Sequence, residues 1–558
     1  MAWLGIDSSN YDSSCGNSGQ TPQDALDGTD SWNHLTNETH YLILDLGSSQ
    51  NVTRFKSRSN SIADPDAVNL YVSDSKVSWG TAVWTGTDEF ASTDCYVIFK
   101  TTPKEGRYVK IEITSTENAI NFLDYGDSST PFQIFDVWTG EAPDSFVVDL
   151  DGSNGNVSNS TTSFYPTDAY IGGIIPFDGS KYSTIAYAYI ELLALVTESC
   201  TPNQVPSITA QLYDYTASAV IGSPQTITAT GGAYRYYRFP LSIADDLPAG
   251  AGNLGLQFKK SGCTSSIIVT HWKLVLHMES STNTKARLML PIGAASSVLS
   301  TSYGPFPPSG IVPFEKHLPW DEDLFGDTID AVYYGATIKA TASETAYART
   351  NDTSDADPLG EITTTSTTGE WKMSSDIKAS ITDGSTYGTQ MKTSSAFTSA
   401  SMQNGFIIVD VSDMTKYLNI LSVNSGGYGN VLTTYSVSTT RQAYYELNAW
   451  DGVTKSVKHV ATLEQTGATS AETQLYDDGV AWGSTELTTT SSSPTLKVSG
   501  ALTEPAHGSY LAMGVKRTGG ARASGNVSNN YVWQEVSDIT SLTAVTSTPL
   551  RTLMGMGI

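Results

Sequence analysis

The sequence predicts an all-β protein made of several β-sandwich domains. Charged residues supply only 16% of the 558 positions, whereas 47 residues are glycine and 22 are proline. This composition disfavours long solvated helices and is typical of short strands joined by many turns. A chain of this length exceeds one hydrophobic core, and about four domains of ordinary size are expected.

A short strand-like segment occurs three times along the chain. The copies are LGLQFKKSG (254–262), YGTQMKTS (387–394) and LAMGVKRTG (511–519), and each alternates between two kinds of position. That period of two predicts a half-buried strand. Lys259, Lys392 and Lys516 hold the same place in the three copies. The interval between copies is the size of a whole β-sandwich, so the repeat is a domain rather than a solenoid unit.

We therefore predict three repeated jelly-roll-like β-sandwiches, each with its own interior. They follow an unrelated N-terminal β-sandwich and precede an apolar tail, which either adds a last strand or docks on a neighbouring subunit. The predicted units are the N-terminal domain (1–142), the three repeats (147–281, 282–413 and 414–545) and the tail (546–558).

The N-terminal unit carries turn and strand residues in a characteristic order. They are Asp27, Gly28, Trp32, Leu44–Gly47, Tyr71–Asp74, Trp79, Arg107–Ile111, Phe132–Ile134 and Val137. This set resembles the discoidin family, also called the coagulation-factor C-type domain, a galactose-binding-like β-sandwich. The resemblance implies binding of glycans, lipid head groups or proteins through loops at one end of the sandwich. The remainder of the chain resembles, in pattern only, the jelly-roll modules of phage appendage proteins and carbohydrate-binding proteins.

Five residues are candidate ligand-binding groups in the loops of this domain. A sugar site needs an aromatic face for the apolar side of the ring and polar groups for its hydroxyls. Trp32, Asn33, His34, Trp79 and Trp84 offer both. The alternative is that Trp32 and Trp79 only pack, because they match positions that the family uses for packing.

The resemblance also implies a structural calcium ion. Asp27 and Asp30 match the family's first-turn ligand, but Gln133 stands where the family has a glutamate. A neutral amide oxygen is a weaker ligand than a carboxylate, so calcium is a candidate cofactor only.

The four cysteines, Cys15, Cys95, Cys200 and Cys263, form no CxxC pair, which disfavours a zinc site. Cys200 and Cys263 each follow a strand of the first repeat, in loops that could meet. The sequence leaves two alternatives, a disulfide between them or four free thiols.

Charge excludes several classes of partner. The formal net charge is −26, and the sequence has no cluster of lysine and arginine that could displace phosphate counterions. Nucleic acids and anionic membranes are therefore not expected partners, and no apolar run is long enough to span a membrane. The first residues show no secretion signal, although the Ser/Thr/Gly-rich composition suits a protein outside cells. This combination fits a virion component made in a host cytoplasm, with extracellular export as the alternative.

No catalytic motif is present in the sequence. HExxH, a GxSxG elbow, a P-loop and a GxGxxG turn that leads from a strand into a helix are all missing. We predict a non-enzymatic virion structural protein of a bacteriophage, decorating the capsid or forming part of a tail or fibre. Its expected partners are copies of itself, other virion proteins and, for host attachment, a cell-surface glycan. The alternatives are a carbohydrate-binding adhesin or accessory module of a polysaccharide-degrading system, and an enzyme acting on envelope polysaccharide.

Overall fold

The computed structural model describes most of the chain as β-strands. The described residues are 3–5, 11–13, 39–58, 65–87, 96–116, 133–139, 145–151, 157–159, 163–164, 174–183, 185–198, 207–228, 235–241, 247–261, 264–279, 285–293, 296–305, 317–325, 329–341, 344–353, 355, 357–395, 398–414, 416–424, 428–430, 432–444, 455–477, 479–505, 510–519 and 524–537. Within them the regular elements are strands and three short 3-10 helices, so the all-β prediction is confirmed.

The N-terminal domain is a seven-stranded antiparallel sheet of order β1-β7-β3-β6-β4-β5, with β2 paired to β3. Its strands are β1 (Trp3–Gly5), β2 (Tyr11–Ser13), β3 (His40–Arg58), β4 (Pro65–Ser73), β5 (Trp84–Thr87), β6 (Tyr96–Thr116) and β7 (Gln133–Thr139).

Sandwich 1 follows. It contains β8 (Ser145–Asp151), β9 (Val157–Asn159), β10 (Ile175–Asp178), η1 (Gly179–Lys181), β11 (Ile185–Glu198), β12 (Ser207–Asp214), β13 (Ala219–Thr228), β14 (Arg235–Leu241), β15 (Ala251–Ser261) and β16 (Thr264–Glu279). One sheet has the order β14-β11-β16-β8, with β9 on β16, and the other β10-β15-β12-β13.

Sandwich 2 contains β17 (Ala286–Gly293), β18 (Ser296–Val298), β19 (Gly304–Pro305), β20 (Leu318–Pro319), η2 (Glu322–Leu324), β21 (Ile329–Ala340), β22 (Ala346–Asp352), β23 (Pro358–Thr364), β24 (Glu370–Met373), η3 (Lys378–Ser380), β25 (Thr386–Thr393) and β26 (Ala400–Val411). Its sheets have the orders β24-β21-β26-β17, with β18 on β26, and β19-β25-β22-β23, with β20 on β25.

Sandwich 3 contains β27 (Lys416–Asn424), β28 (Tyr428–Asn430), β29 (Ser436–Tyr444), β30 (Lys455–Thr466), β31 (Ser470–Asp477), β32 (Val480–Ala481), β33 (Leu487–Thr489), β34 (Thr495–Val498), β35 (Tyr510–Thr518) and β36 (Ser524–Ser537). Its sheets have the orders β34-β30-β36-β27, with β28 on β36, and β29-β35-β31-β32, with β33 on β31.

The same strand order thus recurs in the three sandwiches, and the repeated lysines occupy one register. Lys259 lies opposite Thr209, Lys392 opposite Tyr347 and Lys516 opposite Glu472, each on the strand that pairs with β12, β22 or β31. The predicted equivalence of the three lysines is confirmed. The boundaries drawn between the units stay a prediction, and the tail (546–558) lies outside the described residues.

The interiors of the sandwiches are connected rather than separate. One buried apolar cluster runs through sandwiches 1 and 2 and reaches Tyr531 and Trp533 of sandwich 3, and a second cluster fills the rest of sandwich 3. The expectation of three isolated interiors is therefore wrong. The reason is that buried residues at the contacts between sandwiches, such as Tyr182 and Ala286, bridge one core to the next.

These contacts close the three sandwiches into a ring. Sandwich 1 meets sandwich 2 where Tyr182 Oη donates to the carbonyl of Arg287 at 3.1 Å. Sandwich 2 meets sandwich 3 where Tyr531 Oη donates to the carbonyl of Pro291 at 3.0 Å. Sandwich 3 returns to sandwich 1, because β27 lies beside β8 and β29 beside β16. Among the described residues no helix is long and apolar enough to cross a membrane.

Candidate functional site

The outer face of the N-terminal sheet is the candidate site. On the central strands β3, β4 and β6 the apolar residues alternate with polar and aromatic ones. The side chains that point inward are fully buried and form the core: Leu42, Leu44, Leu70, Val72, Val109 and Ile111. Because neighbours along a strand point to opposite faces, the residues between them cover the outer face.

Lys110 lies at the centre of this face and is surrounded by aromatic rings. It pairs across β6 with Ile43 on one side and Tyr71 on the other. Its ammonium lies 5.0 Å from the ring centroid of Tyr71, 5.5 Å from that of Tyr41 and 6.0 Å from that of Trp79. Such distances are within the range of cation–π attraction. All of these rings are half-buried, so each keeps a solvent-accessible part.

Glu112 completes the group, which we call the Lys110 patch (Tyr41, Tyr71, Trp79, Lys110 and Glu112). The Glu112 carboxylate forms an ion pair with Lys110 and accepts a hydrogen bond from Tyr71 Oη at 3.1 Å. Burial and the adjacent Glu112 raise the pKa of Tyr71, so its hydroxyl stays protonated at neutral pH. The patch therefore offers an ammonium, a carboxylate and a phenol beside three aromatic rings.

Trp79 reaches the patch from a loop with defined internal hydrogen bonds. Ser73 Oγ donates to the carbonyl of Ser78 at 2.6 Å, and Lys104 Nζ donates to the carbonyl of Trp79 at 3.1 Å. Gly80 follows with φ +68°, a left-handed conformation that glycine adopts without steric cost. These contacts hold the backbone of residues 78 and 79, from which the indole extends.

An arginine fork lies on β6 beside the loop of Trp79. Arg107 donates to both carboxylate oxygens of Asp45, at 2.7 and 2.9 Å, and its backbone N–H donates to Asp74 Oδ1 at 3.0 Å. Because Arg107 is largely exposed, its ion pair with Asp45 contributes little to stability and mainly holds the backbone segments in position. It ties β3, β6 and the loop of Trp79 together.

The predicted ligand residues fall in three different places. Trp79 belongs to the Lys110 patch. Trp84 is half-buried on β5 opposite Leu70, and residues directly opposite in a sheet share a face, so it lies on the core side. Trp32, Asn33 and His34 lie outside the described residues.

The predicted metal and disulfide residues are not brought together by the described parts of the chain. Gln133 lies on β7 opposite Arg58 in the backbone register, whereas Asp27 and Asp30 fall outside the described residues. Cys200 and Cys263 fall outside them too, as do Cys15 and Cys95. In the described ranges, no group of three or more His, Cys, Asp or Glu side chains could hold a metal ion. Calcium and the disulfide stay predictions.

Sequence reasoning missed Tyr41 and Glu112 and treated Tyr71 and Lys110 only as family-matching residues. The signal was available, because each alternates with buried apolar residues on its strand. What the sequence did not supply was the pairing of β3, β4 and β6, which brings residues 41, 71 and 110 together.

The comparison with family profiles agrees with the N-terminal fold. The sequence profile described as the F5/8 type C domain matches residues 7–125. No curated protein sequence is significantly similar to the chain. Among solved structures, discoidin II from Dictyostelium discoideum is 11% identical and covers 48% of this chain and 94% of its own, with a TM-score of 0.18.

Two further solved structures are similar at the same level. A fucolectin from striped bass (Morone saxatilis) serum is 10% identical, covers 48% of this chain and 96% of its own, and has a TM-score of 0.19. A triple jelly-roll chain from the turret of an archaeal virus is 10% identical, covers 70% of this chain and 91% of its own, and has a TM-score of 0.15. At these scores none of the three structural likenesses carries an argument. The profile match together with the ordered motifs shows that residues 7–125 belong to the F5/8 type C, or discoidin, family.

Proposed function

We propose that the protein is a non-catalytic glycan-binding protein and that its N-terminal domain holds a sugar on the Lys110 patch. The observation that carries the proposal is the cluster of three half-buried rings around Lys110 in an F5/8 type C domain. Domains of this family are generally binding modules without catalytic activity.

The chemistry of the patch fits a sugar ring. The apolar face of a pyranose packs on an aromatic side chain, and its hydroxyls need donors and acceptors at the edge of that contact. Tyr71 and Trp79 supply the ring faces, while Lys110 and Glu112 supply a donor and an acceptor. The positive and negative charges balance within the patch, which favours a neutral sugar.

The family match favours the adhesin or accessory-module alternative over the virion structural protein predicted from composition. A glycan-binding role would bring the protein to a cell surface or a polysaccharide, in agreement with an extracellular location. Homo-oligomers and virion partners stay predictions from the sequence.

The test is an array of neutral oligosaccharides probed with the full-length protein. Tyr71→Ala and Trp79→Ala each remove a ring and are expected to weaken binding about tenfold, which corresponds to about 1.4 kcal/mol. Tyr213→Ala is the matched control, because Tyr213 is a half-buried tyrosine in sandwich 1 whose ring lies 5.1 Å from that of Tyr215. Circular dichroism checks the fold of each variant. Wild-type protein that binds no neutral glycan, or Tyr71→Ala and Trp79→Ala proteins that bind like the control, would refute the proposal.

A further inference from the structure

Each sandwich places an aromatic ring over its repeated lysine. The ring comes from the segment before β10, β19 or β29. Lys259 lies 4.5 Å from the ring centroid of Phe164, Lys392 lies 4.3 Å from that of Tyr303, and Lys516 lies 4.3 Å from that of Tyr435. In sandwiches 2 and 3 the segment runs along the lysine strand, because Thr393 N–H donates to the carbonyl of Ser300 and Arg517 N–H to that of Leu432.

The tyrosine hydroxyl has a fixed acceptor in two of the three copies. Tyr303 Oη donates to Glu361 at 2.5 Å, and Tyr435 Oη donates to Glu486 at 2.6 Å. The strand register makes Pro224 of sandwich 1 the counterpart of these two glutamates. Where the ring is Phe164 and lacks a hydroxyl, the acceptor is absent as well.

At these positions sandwich 2 has one more cation than either of the other sandwiches. In sandwich 3 Lys516 is neutralised by ion pairs to Glu472 at 2.8 Å and Glu486 at 3.4 Å. The position of Glu472 is Tyr347 in sandwich 2, and no carboxylate pairs with Lys392 among the residues that the structure describes. Sandwich 2 also has Arg349 where sandwiches 1 and 3 have Gln211 and Gln474.

Arg349 has donors to spare. Its Nε donates to Gln390 Oε1 at 2.9 Å, and its guanidinium carbon lies 3.6 Å from the ring centroid of Tyr303. In the described part of the chain its Nη atoms form no hydrogen bond. Arg349 and Lys392 alternate with the buried Ala348, Thr350, Met391 and Thr393, so both project outward from the sheet. Both cations therefore lie against the Tyr303 ring, which is half-buried and keeps a solvent-accessible part.

We propose that this group, the Tyr303 site (Tyr303, Arg349, Glu361, Gln390 and Lys392), binds an acidic oligosaccharide of the uronate type. Two cations with one carboxylate leave an excess of positive charge in a chain of net charge −26. A planar carboxylate matches the remaining guanidinium donors, and a sugar ring matches the solvent-accessible part of the Tyr303 ring. Glu361 and Gln390 supply polar atoms at the rim. A bare phosphate or sulfate ion would engage the cations but would leave the ring unused.

The test is titration calorimetry of the full-length protein with tetragalacturonate and with its methyl ester, which keeps the sugar rings and removes the charge. We expect the acid to bind, its affinity to fall as NaCl is raised, and the ester to bind at least about tenfold more weakly. Arg349→Gln installs the residue that sandwiches 1 and 3 carry at this position, so it is expected to fold and to bind the acid about tenfold more weakly or worse. Tyr347→Glu introduces the carboxylate that sandwich 3 carries at the equivalent position, and it is expected to weaken binding of the acid to the same extent by neutralising Lys392.

Phe164→Ala is the matched control, because it removes the equivalent ring from sandwich 1 and leaves the Tyr303 site intact. The proposal is overturned if the acid does not bind, if the ester binds equally well, or if Arg349→Gln binds the acid like Phe164→Ala. The site is separate from the Lys110 patch. If Tyr71→Ala loses tetragalacturonate binding while Arg349→Gln keeps it, this inference is overturned and the proposed function still stands.

Discussion

Nε2 of His459 lies 3.0 Å from Oδ1 of Asn530 inside sandwich 3, while its Nδ1 lies 2.5 Å from the carbonyl of Thr485. The histidine is fully buried between β30, β36 and the loop before β33. Burial lowers the pKa of His459 to about 4, and the two hydrogen-bond partners oppose this only in part. The ring is therefore neutral in the folded protein at neutral pH.

We expect the stability of sandwich 3 to fall as the pH drops from about 6.5 towards 4. In that window the unfolded chain binds a proton at residue 459 that the folded protein does not, so protonation favours unfolding. A shift from 6.5 to about 4 corresponds to roughly 3 kcal/mol at the acid end. Urea unfolding at a series of pH values measures it. His459→Gln should flatten the pH dependence, whereas His317→Gln serves as the histidine control; parallel curves for wild type and His459→Gln would contradict the prediction.

Loss of the Asp410 carboxylate should destabilise the contact between sandwiches 1 and 2. Asp410 accepts two hydrogen bonds from Arg287, at 2.6 and 2.9 Å, and pairs with Lys181 at 2.9 Å. Burial raises the pKa of Asp410, but the bonds from Arg287 and Lys181 outweigh it and the net shift is downward. Asp410→Asn removes the counterion of Arg287, whose side chain is only 6% exposed. The expected cost is about 3–5 kcal/mol in the free energy of unfolding.

The matched control for that variant is Asp330→Asn. Asp330 is an exposed carboxylate at the same end of sandwich 2 and accepts one hydrogen bond, from Ser412 Oγ at 2.8 Å. Its loss is expected to change stability by about 1 kcal/mol at most. Equal unfolding midpoints for the two variants would show that the buried pair contributes nothing.

A methyl group at Gly106 should separate the strands beneath the Lys110 patch. A Cβ there would lie 2.7 Å from the backbone nitrogen of Ser73 and 2.7 Å from Cγ1 of Val72, so β6 and β4 could not keep their distance. We expect Gly106→Ala to cost about 1–3 kcal/mol and to weaken glycan binding by moving Lys110 away from Tyr71. Thermal unfolding and the neutral array test this. Gly250→Ala, where a Cβ meets nothing within 4 Å, is the control, and a Gly106→Ala protein that matches it would contradict the prediction.

Local patterns carried most of what could be predicted from the sequence. The period of two and the three lysines predicted both the fold class and the register of β15, β25 and β35, because alternation is a property of neighbouring residues. The partners of those lysines were missed. Tyr303 and Tyr435 lie in short irregular segments with no period. Their glutamates come from the other side of the central strand: Glu361 lies on β23, and Glu486 directly precedes β33.

In the candidate site, too, local sequence indicates some residues and strand pairing decides the others. Trp79 stood out by residue type, whereas Tyr41 and Glu112 acquire their role only when β3 pairs with β6. The connected interior was missed for a similar reason. It depends on contacts such as that of Asn404 Nδ2 with the carbonyl of Ile174, 230 residues apart, which no local pattern indicates.

The return of sandwich 3 to β8 of sandwich 1 has a consequence for synthesis of the protein. Sandwich 1 leaves the ribosome long before residues 416–444 are synthesised. The surface that β27 and β29 cover in the complete chain therefore remains exposed to solvent until translation is nearly complete. Domains generally fold as units while the chain is being made, and exposed apolar surface invites aggregation. A nascent chain halted before residue 416 would therefore carry an uncovered flank, and premature stop codons there should yield insoluble rather than shortened working protein.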